Sequence, residues 1–317
     1  MIPGHSPSRH PHIAQLMAVA LLGTLALLQG CATKPKTATG KTELHIRQAV
    51  AALSKAEDAD SLAAAALLDL EGHPDRARPV MERAIAKAPD RPDLVWLEIQ
   101  VCQVTAHCNS VPFESRLQTL DAANGYGWIG ALTRASAAKD KAAILVALTA
   151  IAHSERFDIY WTALNARLAV AAVRTKKLTF LEAQQTVVGG LISRILPTYS
   201  VLTTACQGDR LAANEVLEAC RGITNSLVHG DTYLTEMIGV QIAKVVWPEN
   251  STQWQIADGD RRQYEYASSH WVKITGGLAE ATMAERYLLL CAQYHREQDV
   301  WRAQLIDAGE RPDAPAE

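Results

Sequence analysis

Apolar residues fall in short runs along the chain, and most runs repeat every three or four positions rather than every second one. That spacing belongs to helices burying one face, and no segment alternates strictly enough to read as a half-buried strand. The first run, Ile13–Leu28, is broken only by Gln15, Gly23 and Thr24. It spans about 16 residues, short for a bilayer span. Helical spacing resumes over Ser61–Leu70 and Pro79–Ala88, with Gly72-His73-Pro74-Asp75 as the turn between them. Pro79 is read as part of a first helical turn, where a missing N–H costs little. Further helices are predicted over 179–196 (capped by Thr179, stopped by Pro197), Leu211–Leu227, and Asp231–Trp247 stopped by Pro248. Residues 248–260 read as a polar loop, helices return near Arg262–Thr275 and Leu278–Gln298, and Glu310–Glu317 reads as a frayed tail. The fold class expected is all-α.

Tryptophans recur at Trp96, Trp128 and Trp161, spaced by 32 and 33 residues, and the same step back from Trp96 reaches Leu62 in the Ser61–Leu70 run. Self-similarity at that period marks helix-turn-helix repeats, whose apolar stripes are buried only by stacking on neighbours. Asp121 and Asn124-Gly125 are placed to close one helix and cap the next, and Lys139-Asp140 to form the following turn. The pattern over roughly residues 44–175 resembles tetratricopeptide repeats, without that family's Gly and Tyr on the first helix. The resemblance implies an α-solenoid over 44–177, with the three tryptophans at comparable, buried positions on successive helices. Residues 178–309 lose the period and are expected to continue the solenoid irregularly or to form a C-terminal helical bundle.

The first apolar run closes on Leu28-Gln29-Gly30-Cys31, behind a stretch that carries Arg9 and three histidines but no acid. This resembles the lipobox of bacterial lipoproteins, although Gln29 replaces the usual small or apolar residue. An ordinary signal peptide, or a buried helix with a chance cysteine, is the alternative. The resemblance implies a signal peptide over 1–30, lipidation (including palmitate) at Cys31, and, because Ala32 rather than Asp follows, export to the periplasmic face of the outer membrane. Residues 31–43 then read as a lipidated tether, with Lys34, Lys36 and Lys41 among Ala, Thr, Pro and Gly. Cleavage before Cys31 removes one charged residue, Arg9, so the formal charge moves from -3 to -4.

Lys and Arg total 31 against 34 Asp and Glu, which excludes a basic nucleic-acid footprint over the whole chain. Export would place the five remaining cysteines in an oxidising compartment. Short loops close most readily, so Cys102 is paired with Cys108 and Cys206 with Cys220, two other pairings being possible; Cys291 is read as a buried free thiol in an apolar helix. Zinc held by His107 with Cys102 and Cys108 is the weaker reading of that segment. No His-Glu-x-x-His, Gly-x-Ser-x-Gly or phosphate-loop pattern occurs, so no catalytic, cofactor or metal residue is assigned. His229-Gly230-Asp231, with Tyr233 and Glu236 following, is the most suggestive local group: a general acid-base site, or Asp231 as an ordinary helix cap. The leading expectation is a non-enzymatic envelope lipoprotein whose helical repeats form a scaffold or adaptor for an envelope protein partner, held to the membrane by its lipid. The alternative is a periplasmic hydrolase or cell-wall enzyme centred on His229.

Overall fold

The structure, a computed structural model, describes residues 39–275 and 281–315, apart from the side chains of 195–198. Cys31, the segment read as a signal peptide and most of that read as a tether lie outside the described residues. Chain contacts separate Met1–His45 from a compact unit, Ile46–Glu317. The described residues form fourteen α-helices and no strand. They run α1 (Thr39–Leu53), α2 (Ala59–Leu70), α3 (Pro74–Lys87), α4 (Pro92–Val104) and α5 (Val111–Leu120). A 3-10 turn (Gly125–Trp128) leads into α6 (Ile129–Ala138), α7 (Lys141–Ala152), α8 (Trp161–Arg174) and α9 (Phe180–Ala205). A second 3-10 turn (Gly208–Ala212) precedes α10 (Asn214–Val228), α11 (Tyr233–Val246), α12 (Thr252–Thr275), α13 (Ala281–Cys291) and α14 (Glu297–Asp307). The chain is all-α.

Short polar residues set the boundaries. Asp58 caps α2 by accepting the Ser61 amide at 2.9 Å, and Asp140 caps α7 through the Ala143 amide at 3.1 Å. Lys139 closes α6 in the left-handed region, at φ 56°. Thr179 and Glu182 form a reciprocal capping box at the start of α9. Five boundaries differ from the sequence reading; one is the helix expected over Leu278–Gln298, which stops at Cys291, with α14 starting separately at Glu297. α1 begins at Thr39, inside the segment read as a tether; Glu43 and Arg47 stand four apart and Ala49 and Leu53 are buried, a spacing that favours a helical turn there. α3 begins at Pro74, which fits a first-turn position, so Pro79 lies inside the helix. α9 runs through Pro197 to Ala205, because packing on five other helices outweighs one lost backbone bond. The polar stretch read as a loop is helical from Thr252, supported by ion pairs from Asp258 to Lys244, Arg261 and Arg262.

Alanine-rich α2 is buried from Ser61 to Leu67 and packs against α3, α4, α8 and α9. The long α9 also meets α6, α11 and α13, so one continuous core extends from Ala49 to Val300. Where α10 crosses α7, a Cβ on Gly222 would lie 2.7 Å from the Ala152 Cβ, so only glycine permits this approach. A run of rings threads the core: Trp96 meets Tyr126 edge-on at 5.8 Å, Tyr126 meets Phe157 at 5.6 Å, and Phe157 meets Tyr199 at 5.9 Å. The tryptophans are therefore not equivalent. Trp96 lies in the middle of α4 and is fully buried, Trp128 closes a 3-10 turn half-buried, and Trp161 opens α8. The rings that follow Trp96 in the run are Tyr126, two residues before Trp128, and Phe157, four before Trp161.

Candidate functional site

Loops that join successive helices lie against one another and form a polar seam. In two of its loops an arginine bonds an aspartate two residues further on. Arg91 holds Asp93 with two bonds, at 3.0 and 2.5 Å, and reaches back 31 residues to Asp60 at 2.5 Å. Arg156 does the same, to Asp158 at 2.5 Å and to Asp121 at 2.6 Å. Arg296 repeats the reach with a different partner type: Gln298 donates to Glu236 at 2.7 Å while Arg296 lies 3.5 Å from the same carboxylate. Each clasp sets a rigid guanidinium fork between two turns, which ties neighbouring helix pairs together.

Between the clasps, buried amide and carboxylate groups order the loops. Asn124 accepts the amides of Tyr126 and Asp158 and donates to the Asp158 carbonyl and the Tyr160 hydroxyl, all between 2.9 and 3.1 Å. Tyr160 donates to Asp121 at 2.7 Å. Its own backbone is left-handed, at φ 58°, and the amides on either side of it, Ile159 and Trp161, both donate to the fully buried Asp231, at 3.0 and 2.6 Å. Burial, reinforced by the neighbouring Asp158, pushes the Asp231 carboxyl up to about 8 despite those two amides. Asp158 also takes His295 Nε2 at 2.9 Å, and this bond holds the imidazole above its ordinary range. Thr162 donates to the His295 carbonyl at 2.7 Å, and the Glu297 amide donates to the Asp231 carbonyl at 2.8 Å. Burial pushes Glu297 up to about 7.

His295 also lines a shallow cavity of about 260 Å³, with Thr162, Ala163, Ala166 and Arg167 of α8 and residues 291–294 after α13. The arrangement can orient an imidazole, favour its protonated form, and place it in one cavity with a guanidinium. It unites residues 137 positions apart, Asp158 and His295, that no local motif connects. The one signal in the sequence was the pair Arg91-Pro92-Asp93 and Arg156-Phe157-Asp158, two repeat lengths apart.

The residues singled out from sequence are dispersed. Cys102 and Cys108 lie at disulfide distance, with sulfurs 2.05 Å and Cα atoms 5.2 Å apart. Cys206 and Cys220 do likewise, at 2.06 and 5.6 Å. His107 takes a left-handed φ of 59° in the loop between the first pair. Cys291 is a buried free thiol, pushed well up by burial. His229 is exposed and turns Nδ1 to the Asn225 carbonyl of its own helix at 2.7 Å, while Asp231 serves the amides of the neighbouring loop. Thr232, not Asp231, caps α11. Glu236 faces Gln298 and Arg296, and Tyr233 stacks between Tyr264 and Trp301. No protein-family description, curated protein or solved structure matches this chain.

Proposed function

We propose that the chain is an envelope lipoprotein, lipidated at Cys31 and held on the periplasmic face of the outer membrane, whose helical repeats act by binding another envelope protein rather than by catalysis. The recurrence of the arginine clasp carries this reading. Arg91 with Asp60 and Arg156 with Asp121 bond across 31 and 35 residues, which is one repeat length, while Arg296 reaches Glu236 across 60 residues. Side chains that join each unit to the one before it are what a stacked, tetratricopeptide-like array requires. Such arrays present helix faces to partners, and Val146 on α7 and Ile256 on α12 stand more than half exposed.

The test combines the anchor with the surface. Cys31→Ser should abolish palmitate labelling and release the protein from the membrane fraction. A photo-crosslinking amino acid at position 146 or 256 of the full chain, in the native envelope, should give a discrete adduct that diminishes when the protein is released. Retained labelling in the variant would overturn the anchor, and absence of any adduct at either position would overturn the scaffold.

A further inference from the structure

We propose that the cavity between α8 and the turn after α13 is a binding site for a carboxylate, the α-carboxylate of an amino acid or of a peptide C-terminus. Arg167 lines the cavity and makes no hydrogen bond or ion pair among the described residues, in a seam where Arg91, Arg156 and Arg296 are all engaged. His295 lines the same cavity from the turn, with Nε2 on Asp158 at 2.9 Å, so Nδ1 is the ring nitrogen outside that bond. The carbonyl of His295 is held by Thr162 on α8, which fixes the turn against the helix that carries Arg167. A planar guanidinium pairs with a carboxylate through two parallel bonds, and the imidazole, in its protonated form, adds a donor at Nδ1.

The remaining lining selects a small ligand. Ala163 and Ala166 form an apolar floor, while the side chains of Gln293 and Tyr294 make no hydrogen bond among the described residues and stand at the rim. About 260 Å³ lies just below the usual range for drug-sized ligands and suits one residue with a compact side chain. Capture of a terminal carboxylate by converging donors is a recurrent mode of peptide recognition.

The experiment is calorimetric titration of the full-length protein, extracted in detergent, with four probes: alanine, N-acetylalanine, the tripeptide Ala-Ala-Ala, and the same tripeptide as its C-terminal amide. Saturable binding of the acids but not of the amide is expected. Arg167→Gln, a substitution of an exposed side chain, should weaken that binding at least about tenfold, the loss expected for a charge-assisted bond. If alanine binds and the tripeptide does not, the source is a free amino acid; tighter binding of the tripeptide assigns a peptide terminus. Equal binding of acid and amide, an unchanged affinity in Arg167→Gln, or no saturable binding of any acid would overturn the proposal. None of these outcomes bears on lipidation at Cys31 or on crosslinking from positions 146 and 256, so the scaffold reading is judged separately.

Discussion

Glu98 lies in α4 with no solvent exposure, and neither carboxyl oxygen has a hydrogen-bond partner. Burial, with a smaller push from Glu82, raises its carboxyl from an ordinary 4.5 to about 7. The native chain therefore holds this proton over a pH range in which the unfolded chain has released it. Stability from this group is fully present below about 4.5 and is lost as pH rises through 7. Two and a half pH units at about 1.36 kcal/mol each correspond to a loss of roughly 3 kcal/mol by pH 8.5. Glu98→Gln keeps the shape and removes the titration. Near pH 5 both side chains are neutral, and the two proteins should unfold at similar urea concentrations, followed by tryptophan fluorescence. At pH 8.5 the variant should be more stable by about 3 kcal/mol, a large fraction of a usual stability. Asp231 and Glu297 are also pushed up, but both remain in each protein and cancel in the difference. Wild type and variant losing the same stability between pH 5 and pH 8.5 would refute the reasoning.

Trp96→Ala should cost about 3–5 kcal/mol in urea unfolding, because the ring is fully buried against Tyr126, whereas half-buried Trp128→Ala should cost clearly less; equal costs would restore the equivalence of the tryptophans. Gly222→Val should lower the melting temperature by several degrees, since its Cβ would meet Ala152 at 2.7 Å, and an unchanged melting curve would show that α7 and α10 can separate without cost. Asp231→Ala leaves the buried amides of Ile159 and Trp161 without acceptors, so hydrogen exchange at both should accelerate by a factor of ten or more. Non-reducing peptide mapping should recover Cys102 with Cys108 and Cys206 with Cys220, with Cys291 alkylated only after denaturation; a bridge to Cys291 would contradict the core packing.

Helical class was legible because it rests on local rules. Apolar residues every three or four positions, the capping carboxylates Asp58 and Asp140, and the Thr179–Glu182 box act within one turn of chain and need no tertiary partner. The two cysteine pairs were legible for a related reason, because each is 14 residues apart or fewer and closes a single junction. What failed depended on neighbours distant in sequence. Pro197 is an unfavourable helical residue in isolation, yet α9 passes through it because five other helices cover that element. The tryptophan period pointed to the wrong rings, since a loop of a few residues decides whether Trp128 or Tyr126 reaches the core. His229 and Asp231 are two residues apart in sequence, but a tight turn sends their side chains to different partners. Asp158 meets His295 across 137 residues, and that meeting is a property of tertiary packing alone. Local sequence determined where helices start and which faces are apolar; long-range packing decided which loops touch, and so where charge, donors and an open cavity come together.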